Sequence, residues 1–170
     1  MKAKINTRTL VLIALFAAIS IILARFFVIY ITNSVRISFG NIPIILASLL
    51  LGPVAGGLTA AIADILGASL FSPLSWYPPL TISPVIVGVL PALLKKKILY
   101  KVTIWRLYII IFITNLITSI GITTYLLSKL YGTPYFALLP ARAPISLAIS
   151  IIEGIVVYIL YKRLMKDSLY

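Results

Sequence analysis

The sequence predicts an all-α integral membrane protein, a six-transmembrane-helix bundle that forms a single membrane domain over residues 1–170. Three observations predict it. Of the 170 residues, 62% are hydrophobic and only 11% are charged, where a soluble domain has about a quarter charged; mean hydropathy is +1.16. The apolar residues form long continuous runs, not the short alternating segments of a membrane barrel. The basic residues collect at the ends of those runs, as the positive-inside rule requires. That placement accounts for the net charge of +12, so no nucleic-acid partner is expected.

A basic head, 1–9, carries Lys2, Lys4 and Arg8. The first helix is predicted from Thr9 to Thr32, long enough to span and too long for the apolar core of a cleaved signal peptide. Asn33 to Asn41 is polar and reads as a loop. The second helix, Ile42 to Leu51, is short for a full span. Gly52-Pro53 is a turn signal. The third helix, Val54 to Leu70, is rich in Gly and Ala, which permits close packing. A stiff aromatic loop follows, with Pro73, Trp76, Tyr77, Pro78 and Pro79. The fourth helix runs from Thr81 to Leu94, with Pro84 near its first turn, where proline is tolerated. Lys95, Lys96, Lys97 and Lys101 make a basic loop. The fifth helix is predicted from Ile104 to Leu130. Tyr131 to Pro140 reads as a loop, and the sixth helix runs from Ala141 to Leu164 before a basic tail. Merging the second and third helices into one kinked span gives five as the alternative count.

The head, the loop after the fourth helix (with Arg106) and the tail hold eleven of the fifteen basic residues. With six spans these regions fall on one side, so both termini are predicted to be cytoplasmic. The loops at 33–41, 71–80 and 131–140 then face out.

There is no cysteine and no histidine, which removes thiolate chemistry and the commonest general base and metal ligand. There are three acids, one of them Asp167 in the tail. No paired-carboxylate metal site, triad or Walker motif can be assembled. The chain is therefore expected not to be an enzyme, to hold no metal or cofactor, and to leave any ATP use to a partner. What remains is a set of polar residues inside apolar helices, where an ionisable group is costly and marks a functional site by default. They are Arg25 in the first helix, Asp64 in the third, Asn115 in the fifth, and Arg142 and Glu153 in the sixth. Arg142 and Glu153 are eleven residues apart, close to three turns, and share a face. All but Arg142 have a structural alternative: snorkelling for Arg25, an ion pair with Arg25 or Arg142 for Asp64, an interhelical hydrogen bond for Asn115, an ion pair with a basic residue for Glu153, and, in the loop, an interfacial aromatic belt for Trp76 and Tyr77; Arg142, flanked by Pro140 and Pro144, offers a planar, permanently charged fork suited to carboxylates. Together they can line a pocket open to the outside. On the first helix, Ala14 and Ala18 form a small-xxx-small pair that lets another helix approach.

The residues that carry a family resemblance are Arg25-Phe-Phe27, the run Val35-Arg-Ile-Ser-Phe-Gly-Asn-Ile-Pro43, Leu51-Gly-Pro53 with Gly56-Gly57, Ala63-Asp-Ile-Leu-Gly67 and Tyr77-Pro-Pro-Leu-Thr-Ile-Ser83. Over nearly the whole chain they resemble the substrate-binding S subunits (S components) of energy-coupling factor (ECF) vitamin transporters, and most closely the folate-specific, FolT-like branch. The resemblance implies a subunit of an ABC-type importer in a bacterial cell membrane. It implies high-affinity binding of folate or a related vitamin from outside, and docking on a transmembrane coupling subunit (T component) with two cytoplasmic ATPases. It also makes Ala14 and Ala18 the docking surface.

Folate suits the polar residues. Asp64 can accept two hydrogen bonds from the 2-amino-4-oxo edge of a pterin, and Trp76, Tyr77 or Phe26 can cover its faces. Arg142 and Arg25 can meet the two carboxylates of the glutamate tail, and Asn115 and Thr81 can complete the polar edge. Arg25 lies seven residues from Ala18 and so shares roughly its face: either Arg25 is outside the pocket, or the docking stripe is centred on Ala17 and Ala24. The other readings are an S subunit for riboflavin, thiamine or another vitamin; a stand-alone secondary transporter, which would carry an inverted repeat that the sequence lacks; and a membrane enzyme.

Overall fold

The computed structural model describes residues 6–32, 35–71, 77–98 and 103–167. The first helix, α1 (Thr7–Arg25), is capped by Asn6, whose Oδ1 accepts from the Thr7 N–H at 2.9 Å. It ends seven residues earlier than the apolar run predicts. Phe26 to Thr32 is made entirely of aromatic and β-branched residues, which favour extended backbone. Its second half becomes β1 (Ile29–Thr32), paired antiparallel with β2 (Val35–Ile37) in a short hairpin. The region predicted as helix end and loop is thus partly sheet, and Arg25 is the last residue of α1, not two turns inside it.

Helix α2 (Asn41–Leu51) spans 11 residues, about 16 Å of rise, too short for a hydrocarbon layer of about 30 Å. Ile42 through Leu49 are all buried, because α1, α3, α4 and α7 pack around it. A helix apolar on every side belongs inside, and α2 is the central post of the bundle. Ile45, Leu49, Val87, Leu107, Ile111, Val157 and Tyr161 join in the core around it. Gly52, at φ 99°, makes the turn into α3 (Pro53–Phe71).

A 3-10 turn, Pro78–Thr81, leads into α4 (Ile82–Ile98). Helices α3 and α4 touch backbone to backbone. A Cβ on Gly88 would stand 2.2 Å from the Gly56 carbonyl oxygen, and one on Gly56 would stand 2.1 Å from the Gly88 carbonyl oxygen. At the end of α4, Lys95 Nζ donates to the Leu49 carbonyl at 2.8 Å, satisfying an orphan carbonyl in the last turn of α2. The fifth predicted helix is three pieces in line: α5 (Ile104–Asn115), a π-helical segment Leu116–Thr123, and α6 (Thr124–Tyr131).

Helix α7 (Tyr135–Asp167) begins six residues before the predicted start. Pro140 and Pro144 lie inside it. Each removes one backbone hydrogen bond, and a helix of 33 residues absorbs both near its beginning. Among the described residues, five helical stretches are long and apolar enough to cross a membrane, and α2 is a further, shorter apolar helix. The protein is multi-pass, and its outer faces are apolar: Leu10, Val11, Leu15, Ile151, Ile155 and Ile159 are all exposed, as lipid contact requires.

Candidate functional site

The end of α1, the last third of α3 and the start of α4 meet at the end of the bundle that carries the hairpin. There the structure brings together three of the residues singled out above. Arg25 Nη2 stands 3.9 Å from Asp64 Oδ1, with the two side chains 8% and 17% exposed. Thr81 Oγ1 donates to the other carboxylate oxygen, Oδ2, at 2.7 Å. Gly67 makes this possible. It lies one turn beyond Asp64 on the same face of α3, and a Cβ there would stand 3.1 Å from Arg25 Nε. With no side chain in the way, the guanidinium lies along α3 and reaches the acid. A side chain at Gly67 would push the Arg25 side chain off α3 by a few tenths of an ångström, so the glycine favours this close approach.

Arg25 and Asp64 form one wall of a cavity of about 70 Å³ that also touches Ser20, Ser38, Asn41 and Pro84. Ser20 Oγ donates to the Gly40 carbonyl at 2.7 Å, tying α1 to the entry of α2. Small-molecule sites run to about 300–1,000 Å³, so this cavity has room for only part of such a ligand.

A second polar group lies where α5 and α7 pack. Asn115 Nδ2 donates to Glu153 Oε2 at 2.6 Å and to Ser150 Oγ at 3.0 Å. Glu153 is fully buried. Its other oxygen, Oε1, has no hydrogen-bond partner among the described residues. The Asn41 amide stands near the same carboxyl without closing a bond to Oε1. Asn41 also lines the cavity, so it stands between the two polar groups.

A third group surrounds the π-helical segment. Arg142 Nε donates to Thr124 Oγ1 at 3.0 Å. Ser83 and Thr123 share a hydroxyl hydrogen bond at 2.7 Å, and Ser119 and Ser146 another at 2.8 Å. The Tyr135 hydroxyl donates to the Ile120 carbonyl at 3.2 Å. A π-segment leaves backbone geometry irregular, and polar side chains from α4 and α7 hold this one.

The remaining sequence-predicted residues are placed as follows. Tyr77 precedes the 3-10 turn and is half-buried. Phe26 is exposed and packs against Phe71, ring centroids 5.6 Å apart, outside the cavity. Trp76 lies outside the described residues. Ala14 and Ala18 are exposed on α1, while Ala17 between them is buried. Sequence reasoning missed Ser20, Asn41, Ser83, Ser150 and the positioning role of Gly67. Ser20 carries a usable signal, as a polar residue in an apolar run; Asn41 reads as the end of a polar loop. Among the described residues, no three His, Cys, Asp or Glu side chains come together to hold a metal.

A family model for the S component of ECF-type riboflavin transporters matches residues 4–166. The chain is 30% identical over 132 residues to the folate transporter FolT of Leuconostoc mesenteroides, covering 78% of this chain and 70% of that one. It is 26% identical over 155 residues to FolT of Clostridium novyi, covering 91% and 87%. The crystal structure of a FolT bound with folic acid superimposes with a TM-score of 0.81 at 26% identity, over 92% of this chain and 94% of that one. The S component of another bacterial ECF transporter shares the fold, with a TM-score of 0.71 at 23% identity over 94% and 96%.

Proposed function

This chain belongs to the S components of ECF-type transporters, a transporter family and not an enzyme family, and on that premise we propose that it is the folate-binding subunit of such an importer. The observation that carries the reading is the likeness, over nearly the whole chain, to a FolT solved with folic acid. The folate transporters of Leuconostoc and Clostridium among its relatives support it. The polar groups are of the right chemical kind. Folate joins a flat ring with adjacent N–H donors to a tail with two carboxylates. The chain offers carboxyl and amide acceptors at the part-buried Asp64 and the buried Asn115 and Glu153, and guanidinium groups at Arg25 and Arg142 for the tail. Thr81 holds Asp64, and Tyr77, Trp76 and Phe26 belong to the segments that would close over the ring.

The distribution of Lys and Arg supports an orientation with both termini in the cytoplasm and the hairpin end outside, in a bacterial plasma membrane; this orientation counts the short α2, shielded inside the bundle, as the sixth crossing beside the five long spans. Ala14 and Ala18, exposed amid the apolar face of α1, are the proposed contact with a transmembrane coupling subunit. Two cytoplasmic ATPases would complete the assembly and use the ATP; the chain itself would hold no cofactor.

A riboflavin-binding S component is the second reading, because the matching family model is described for that vitamin. The small molecule that leaves the purified protein on denaturation separates the two. A pterin with a glutamate tail supports the folate reading, and a flavin, with its visible absorption, overturns it.

A further inference from the structure

Helix α6 is held lightly and has a joint at each end. Of its 8 residues, Thr124 is buried, while Tyr125, Leu130 and Tyr131 are exposed. An element with so few buried contacts can move as a unit without unfolding the rest. After it stands Gly132, at φ 64°, a left-handed conformation that costs a glycine nothing. Before it stands the π-helical segment Leu116–Thr123, 8 residues long, where π geometry usually lasts a single turn.

The side-chain hydrogen bonds show where the register changes. Thr114 and Thr118 each donate at 2.7 Å to the carbonyl four residues back, those of Ile110 and Thr114, as a hydroxyl does on an α-helix. Thr124 donates instead to the Ser119 carbonyl, five residues back, at 2.9 Å. The carbonyl four residues back, that of Ile120, receives the Tyr135 hydroxyl at 3.2 Å. Arg142 Nε donates to the Thr124 hydroxyl at 3.0 Å. Tyr135 and Arg142 both belong to α7. One neighbouring helix therefore engages both the carbonyl and the hydroxyl that would meet if this stretch were α-helical.

We propose that α6 is a flap, hinged on the π-helical segment and on Gly132 and latched by Tyr135 and Arg142. When the latch lets go, the segment tightens to the α register and Thr124 donates to the Ile120 carbonyl. Taking one residue out of the wide turns swings α6 round its axis by about 100°. Ser83 meets Thr123 and the Thr118 carbonyl, so it holds the hinge against the start of α4. Thr81, two residues earlier, is bonded to Asp64, which sets the flap beside the end of the bundle where Arg25 and Asp64 meet. Resting on the reading of the chain as a vitamin-binding subunit, the flap opens and closes a way in for the ligand at that end.

The sequence has no cysteine, so a pair of introduced cysteines gives two clean sites for spin labels. The full-length protein, in lipid nanodiscs and without ligand, would carry labels at Ser69→Cys on α3 and Lys129→Cys on α6. A reference pair would carry them at Ser69→Cys and Ile109→Cys, on α5 before the hinge. Distances are read by pulsed electron spin resonance. Tyr135→Phe frees the Ile120 carbonyl, and Arg142→Met removes the donor to Thr124 at similar length. Each should raise the share of a second 69–129 distance roughly fivefold, the loss of one net hydrogen bond, and leave the 69–109 distance single. Saturating folic acid should return the 69–129 pair to one distance. An unchanged 69–129 distribution in both variants, each folded, overturns the flap. Broadening of both pairs in step overturns it too, because the whole bundle would then be loosening. A second distance that persists with folic acid bound overturns its part in ligand entry. Release of α6 by Tyr135→Phe in a protein that binds riboflavin and not folic acid removes the folate reading and supports the flap.

Discussion

The Arg25–Asp64 pair holds opposite charges where little water reaches, and a double-mutant cycle measures what that is worth. Asp64→Asn is the informative single change, because the amide oxygen can still accept from Thr81 while the charge is lost. At 3.9 Å and an effective dielectric near 20, the attraction is about 4 kcal/mol. With side chains 8% and 17% exposed, both groups have also given up most of their hydration, which cancels much of that gain. The pair is therefore worth little against a neutral pair of the same shape, yet breaking it from one side leaves a poorly hydrated charge. Asp64→Asn is expected to destabilise by about 3 kcal/mol, the lower end of the range for a broken buried pair. Adding Arg25→Gln should recover most of the loss, for a coupling of about 2–3 kcal/mol. The assay is unfolding of the four proteins in a mild detergent, followed by tryptophan fluorescence. A coupling below about 0.5 kcal/mol, the size of an exposed pair, would show that the geometry has been read wrongly.

Three further outcomes are expected. Gly88→Ala forces α3 and α4 apart, since its Cβ would stand 2.2 Å from a carbonyl oxygen; a loss of about 1–3 kcal/mol should appear as a lower melting temperature. Thr81→Val removes a 2.7 Å hydrogen bond to a carboxylate and should cost about 1.5–3 kcal/mol in the same unfolding assay. Replacing Ala14 and Ala18 together by Leu adds bulk on an exposed face, so the isolated protein should keep its melting temperature and folate affinity. Co-purification with the coupling subunit should be lost; retained co-purification would remove α1 from the docking surface.

Hydropathy located the membrane segments because lipid imposes length and apolarity on every crossing helix. It failed where those demands do not separate conformations. Phe26 to Thr32 is as apolar as the helix before it, and only its aromatic and β-branched character marks the hairpin. Pro140 reads as the last residue of a loop because local propensity disfavours proline in a helix, and the length of α7 overrides it. Among polar residues, Arg25, Asp64, Asn115 and Glu153 stood out singly against an apolar background. Their pairing, Arg25 with Asp64 and Asn115 with Glu153, depends on which helices are neighbours, and no spacing along the chain records that. The conflict between Arg25 and Ala18 shows the limit of a helical wheel. Both lie near one angular position, yet Ala18 is exposed while the Arg25 side chain is bent back over Gly67 to reach α3. A long side chain in a last turn is not confined to the face of its Cα.

Folate binding by the isolated chain is the central claim, and a direct titration tests it. The full-length protein, purified in detergent, would be titrated with folic acid while its tryptophan fluorescence is followed, and then challenged with riboflavin. Saturable one-to-one quenching by folic acid that excess riboflavin does not reverse is the predicted result. Saturation by riboflavin with no response to folic acid would contradict it.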